Sequence, residues 1–184
     1  MQITGGYLKS RKINSPKGTN VRPTLSQIRE SVFSILKSLM DFEGALFLDA
    51  FAGSGIMGFE AISRGFENTV FIEKDRKTFF LLKENAVKLE LNPVFYSGDT
   101  KKILEKTDKK FDVIYIDPPY REGLYENILH IIKQKSLLHP EGFVVLEHLK
   151  ETKIDFCGFN IVKQKVYGEK TITVLNIGNQ DMLF

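Results

Sequence analysis

Between Ala45 and His148 short apolar runs alternate with helix-period segments, five strands with four helices between them. That alternation constrains the fold more than any other feature of the chain. Consecutive strands joined through a helix run parallel, and a parallel sheet must be covered by helices on both faces. The strands fall at 45–50 (ALFLDA), 69–73 (TVFIE), 93–98 (PVFYSG), 111–116 (FDVIYI) and 142–148 (GFVVLEH). The helices fall at 55–65, 75–91, 100–107 and 125–138, with Phe79, Leu82, Ala86, Val87 and Leu89 turned inward on the second. Beyond them, GFNIVKQKVYGEKTITVLNI alternates apolar and polar residues on both sides of YGEK, a hairpin pattern. The fold expected is α/β, a doubly wound, mostly parallel Rossmann-like sheet with a C-terminal antiparallel hairpin.

Ahead of the alternation, residues 23–40 (PTLSQIRESVFSILKSLM) read as a helix, with Thr24 and Gln27 as a capping box. Residues 1–22 contain glycines, a proline and short β-like pieces, which suggests an extended arm with one hairpin. One domain over 1–184 is expected, an arm at 1–22 and a catalytic core at 23–184. Residues 1–29 hold six basic residues (Lys9, Arg11, Lys12, Lys17, Arg22, Arg29) and no acid, so the net charge of +3 lies wholly in that segment. A solvated tail and a phosphate-contacting arm both fit the charge. The lone Cys157 excludes an internal disulfide and suits a reducing cytoplasm. No export signal or membrane span is evident, and His130, His139 and His148 fall on different elements, without metal-ligand spacing.

The first strand runs into DAFAGSGIMG, where Gly53, Gly55 and Gly58 follow the G-x-G-x-x-G spacing. Glu73 lies 20 residues past Gly53, at the end of the second strand. A tight turn, a close backbone approach and an acid for ribose hydroxyls describe a nucleoside site outside the strands' carboxyl ends. Asp49, just before the loop, would repel a pyrophosphate, whereas it suits a ligand bearing an ammonium and a sulfonium. S-adenosylmethionine is such a ligand. Asp99 in SGDT, after the third strand, suits an adenine amino group, although Glu73 and Asp99 both precede helices and would also serve as caps.

The fourth strand ends in DPPY, Asp117 to Tyr120. Two prolines remove two backbone donors and fix two φ angles, which a continuing strand does not need. Asp117 and the Pro118 carbonyl can together accept both N–H groups of an exocyclic amine. That hold frees the nitrogen lone pair to face a methyl donor, and the carboxylate stabilises the positive charge that grows on nitrogen. Pro119 stiffens the turn, and Tyr120 offers a ring on which a base can stack, worth about 1–3 kcal/mol. This chemistry fits guanine N2 and adenine N6 alike.

LDAFAGSGIMGFEA, FIEKD, GD and DPPY, in this order, resemble the class I S-adenosylmethionine-dependent amino-methyltransferases. GGYLKSRKI, RPTLSQIRESVFSIL and YGEKTITVLNI narrow the resemblance to the RsmD-like bacterial 16S rRNA (guanine-N2)-methyltransferases. The family usually has GALG where this chain has GIMG, so Ile56 and Met57 alter packing beside the loop. The resemblance implies a seven-stranded sheet and S-adenosylmethionine as cofactor. It implies 16S rRNA as partner, within the small ribosomal subunit or an assembly intermediate. Nothing in the sequence pattern demands more than a monomer, and a cytoplasmic location is expected from the cysteine content. The resemblance further implies a cofactor set of Asp49, Phe51, Gly53, Gly55, Glu73, Lys74, Asp99, Thr100 and Asp117, and a base site of Asp117, Pro118, Pro119 and Tyr120. Lys9, Arg11, Lys12, Lys17 and Arg22 become an RNA-phosphate clamp, with a steep salt dependence. Adenine-N6 methylation of RNA or DNA is the alternative. Protein-glutamine methylation calls for NPPY, and Asp49 opposes an NAD oxidoreductase.

Overall fold

The computed structural model describes residues 1–16, 23–119 and 123–178, and only the backbone of residues 23–25. Its elements run α1 Pro23–Leu39, β1 Leu46–Asp49, α2 Ile56–Ser63, β2 Asn68–Glu73, α3 Arg76–Lys88 and β3 Val94–Ser97. They continue as α4 Thr100–Lys106, β4 Phe111–Ile116, α5 Leu124–Gln134, β5 Leu138–Leu149, β6 Asn160–Tyr167 and β7 Lys170–Asn176. The seven strands form one sheet in the order β3-β2-β1-β4-β5-β7-β6. β1 to β5 are parallel, and β7 runs antiparallel to both β5 and β6. Chain order reverses between β1 and β4, so a crevice opens beyond their carboxyl ends.

Strand residues alternate between two cores. Leu48, Ile72, Ile114, Ile116 and Leu146 pack with Leu104 of α4 and with Ile128, Leu129 and Ile132 of α5. Phe47, Val113, Tyr115, Val145 and Ile172 face the opposite way, onto Ile28, Val32, Phe33 and Leu36 of α1. Near-continuous apolar runs are what burial on both faces demands. Among the described residues no helix is long and apolar enough to cross a membrane.

Several local expectations need correction. α1 begins at Pro23, which puts Thr24 inside the first turn and not at the cap; proline suits a first position because its missing N–H has no helical partner there. α5 stops at Gln134, four residues early, because Ser136 takes a left-handed φ of 52° and Leu138 is drawn into β5 opposite Phe111. Val87 is exposed, whereas Asn85 is buried on α3's inner face. The Asn85 amide accepts from Asn14 N–H at 2.8 Å and donates to the Asn14 and Ser54 carbonyls at 3.0 Å each.

That amide ties down an N-terminal segment that is folded, not extended. Gln2 and Lys12 form an antiparallel bridge, and Ile3, Leu8 and Ile13 insert into a third core with Phe59, Phe71 and Leu82. Glu60, fully buried on α2, accepts from Thr4 N–H at 2.8 Å and Thr4 hydroxyl at 2.7 Å, and from Arg64 at 2.8 Å. Arg29 also reaches Glu60, at 3.4 Å, and is buried, so it belongs to this network and not to a basic surface.

Candidate active site

The loop from β1 to α2 is built around its hydrogen bonds. Ala50 N–H donates to the Tyr115 carbonyl at 3.0 Å, Ala52 N–H to the Ile72 carbonyl at 2.9 Å, and Gly55 N–H to the Ala52 carbonyl at 2.7 Å. Gly53 and Gly55 adopt left-handed φ of 54° and 86°, a turn that favours glycine. Asp49 ends β1 buried, and accepts from Gly58 N–H in the first turn of α2 at 3.0 Å. Burial pushes its carboxyl up to about 7, against the Gly58 hydrogen bond, with the nearby Glu73 charge adding to the rise.

A cavity of about 680 Å³ opens at the strand ends. Phe51, Gly53, Glu73, Lys74, Asp99, Thr100 and Asp117 all line it. Glu73 holds the loop, accepting from Gly53 N–H at 2.8 Å and Asp75 N–H at 2.7 Å. The cap of α3 is Asp75, which accepts from Thr78 N–H, so Glu73 is left to the cavity. Asp99 does both: it caps α4 and takes a hydrogen bond from Lys74 at 2.9 Å, which holds its carboxyl below the ordinary range. The Thr100 hydroxyl is turned to the Ala50 carbonyl at 2.7 Å, which fixes the start of α4 against the end of β1.

A smaller cavity of about 250 Å³ shares Phe51, Gly53 and Asp117 with the first. Asp49, Tyr115, Glu147 and Arg29 also line it. Asp117 therefore stands where the two spaces meet. Burial pushes its carboxyl up to about 8, with Glu147 adding to the rise and Lys170 opposing it. Pro118 is buried behind it, while Pro119 is exposed and lines the larger cavity. Gly55 lines neither cavity; it is the α2 N-cap, closed in by Leu82 and Phe59.

Lys9 and Lys12 are exposed on the folded N-terminal segment, whereas Arg11 donates to the Lys88 carbonyl at 2.7 Å and pairs with Glu90 at 3.7 Å. Tyr120, Lys17 and Arg22 lie outside the described residues. Sequence reasoning missed Tyr115 and Glu147. Glu147 does leave a trace there, an acid at the end of the apolar run FVVL.

The family described as Conserved hypothetical protein 95 matches residues 1–176. Ribosomal RNA small subunit methyltransferase D of Buchnera aphidicola is 38% identical over 154 residues, spanning 83% of this chain and 80% of its own. The protein of the same name from Escherichia coli is 28% identical, spanning 92% and 86%. The solved structure of Escherichia coli yhhF superposes with a TM-score of 0.84 at 28% identity, covering 95% of this chain and 96% of its own. With its β3-β2-β1-β4-β5-β7-β6 sheet and acid-lined crevice, the chain belongs to the Conserved hypothetical protein 95 family, the RsmD-like methyltransferases.

Proposed function

We propose that the protein methylates the exocyclic N2 amine of a guanine in 16S rRNA, with S-adenosylmethionine as donor. The observation that carries this reading is Asp117, an acid followed by two prolines at the junction of a nucleoside-sized cavity and a second, smaller space. The relatives named for the small-subunit rRNA supply the substrate class.

The donor set favours S-adenosylmethionine over a phosphate-bearing nucleotide. Glu73, Asp99 and Asp49 are acceptor-only groups when ionised, suited to hydroxyls, an amine and positive charge. Of the three cations among the described residues that line the larger cavity, Lys74 is paired with Asp99, Arg76 lies over the Phe80 ring at 5.9 Å, and Lys101 is exposed on α4. When bound, S-adenosylmethionine supplies an electrophilic methyl group on a positively charged sulfur. In this reading Glu73 accepts from the ribose hydroxyls and Asp99 from the adenine amine. Asp49 and the Gly53 turn border the methionine end, with Phe51 between the two spaces.

Asp117 and the Pro118 carbonyl accept the two N–H groups of the target amine, and the carboxylate stabilises the cation formed as nitrogen is alkylated. Tyr120 stacks on the base. A paired guanine cannot present N2 in this way, so the base enters unpaired or flipped, at a cost of a few kcal/mol. Lys9 and Lys12 meet the RNA backbone, with Lys17 and Arg22 following in the chain. The N-terminal segment and the core act as one domain, a monomer in the cytoplasm.

The test is transfer of labelled methyl from S-adenosylmethionine to unmodified 16S rRNA or small subunits, followed by digestion to nucleosides. Label in N2-methylguanosine is expected. Label in N6-methyladenosine would move the protein to the adenine reading, and no label in RNA would overturn the guanine reading.

A further inference from the structure

β5 carries Glu147 within a stretch buried from Phe143 to His148. A buried carboxylate without partners costs several kcal/mol, so its surroundings must compensate it. The Tyr115 hydroxyl donates to Oε2 at 2.5 Å, and the Lys170 ammonium pairs with Oε1. The Tyr125 hydroxyl donates to the Glu147 carbonyl at 2.7 Å, which pins the strand at that point. Register then decides where this group stands. Ile116 pairs with Leu146, so Asp117, the first residue past β4, stands beside Glu147, which is still within β5 and pairs with Ile172 of β7. Both line the smaller cavity, together with Tyr115 and Asp49.

We propose that Glu147 and Lys170 are positioning residues for Asp117: their ion pair, anchored by the Tyr115 hydroxyl, sets the charge facing the Asp117 carboxylate, with the Lys170 ammonium keeping it able to accept an amine N–H against the like charge of Glu147. The proposal rests on the function proposed above, in which Asp117 holds the target amine, and deepens it.

The charges around Asp117 can be named element by element. Asp49 on β1 and Glu147 on β5 face it as like charges, and Glu73 on β2 acts through Asp49. The Tyr115 phenol, on Asp117's own strand, stays neutral because burial pushes its ionisation well up. Lys170 at the start of β7 is the cation that opposes the rise at Asp117. Arg29 of α1 lines the same cavity, but its guanidinium is engaged by Glu60 and by the Gln2 carbonyl at 2.8 Å. The Met1 ammonium donates to the Ile13 carbonyl at 2.9 Å. Removing Lys170 leaves two carboxylates against Asp117, which then keeps its proton to higher pH and loses an acceptor site. Removing the Glu147 charge has the opposite effect, since one like charge disappears while the ammonium stays.

The experiment follows the Asp117 carboxyl directly, without substrate. Protein carrying carbon-13 at the aspartate carboxyls is titrated by NMR from about pH 5 to about pH 10, the Asp117 resonance being the one lost in Asp117→Asn. The midpoint is expected to rise by about one unit in Lys170→Met, to return in Lys170→Arg, and to fall by about one unit in Glu147→Gln. The rising limb of the pH–rate profile for methyl transfer should move with it, about tenfold less transfer at pH 7 in Lys170→Met, recovered near pH 9. Midpoints unchanged in both variants would overturn the proposal, as would a loss of transfer in Lys170→Met that is equal at every pH. Glu147→Gln is isosteric and keeps an acceptor for the Tyr115 hydroxyl, so it carries the test even where Lys170→Met does not fold. Shifted midpoints without any methylated nucleoside would overturn the function above and leave this electrostatic coupling standing.

Discussion

Replacing Gly58 by alanine should destabilise the protein, although in an open helix the same change stabilises by about 1 kcal/mol. The sign reverses because of one neighbour. An added Cβ at Gly58 would sit 2.2 Å from Phe71 Cε1 and 2.5 Å from its Cζ. Ordinary carbon contacts lie at about 3.5–4.0 Å, so one partner must move by more than about 1 Å. Phe71 has nowhere to go: it is fully buried, with the Phe59 ring at 4.9 Å and the Phe95 ring at 5.4 Å. α2 therefore backs away, and its Gly58 N–H leaves Asp49, now 3.0 Å away. Overpacking costs about 1–3 kcal/mol, and a hydrogen bond lost to a buried acceptor about 1–3 more. With about 3 kcal/mol in total, Tm falls by about 6–12 °C for a chain of this size. Gly53→Ala is the internal control, since its φ is 54° but nothing lies within 4 Å of the added carbon. Left-handed strain alone costs about 1 kcal/mol there, or about 2–4 °C. Thermal unfolding followed by circular dichroism measures both. A Gly58→Ala protein as stable as the parent, or a Gly53→Ala protein that loses more, would refute this account of the loop.

Asp117→Ala should abolish methyl transfer, at least about a hundredfold by the usual cost of removing a group that stabilises transition-state charge, while S-adenosylmethionine binding by calorimetry stays within a few-fold. Lost binding would contradict the division of roles between Asp117 and the Glu73 wall. Asp49 holds its proton up to about pH 7 in the folded chain, against the ordinary 3.8. The folded state thus binds the extra proton between those values, and its contribution to stability is lost as pH rises through that window. Asp49→Asn, which keeps an acceptor for Gly58, should flatten that part of the stability–pH curve; an unchanged slope would sink the assignment. Lys9→Ala combined with Lys12→Ala should weaken RNA binding and reduce the salt slope by about two, one per phosphate contact. The folded core should be unaffected, because both side chains are exposed.

Some of this protein is determined by sequence alone. The alternation of LFLD, TVFIE and FDVIYI with helix-period segments settles a parallel sheet, because only burial on both faces suits such runs. The spacing of Gly53, Gly55 and Gly58 ahead of Glu73, and the break at Asp117, mark the ligand end of that sheet for the same reason: local backbone needs are written in local residues. Other features depend on which distant residues meet, and no local pattern encodes that. Val87 looks inward by periodicity, yet the buried position goes to Asn85, whose amide partners are 71 residues away at Asn14 and 31 away at Ser54. The basic N-terminal segment is docked on α2 through Thr4 and Glu60, 56 residues apart. Most consequentially, register between β4 and β5 brings Glu147 beside Asp117, and the β6–β7 turn brings Lys170 to Glu147. The chain's residues declare an acid that can hold an amine. Whether that acid is charged when the amine arrives is decided by burial and by neighbours from other strands, which exist only once the sheet has closed.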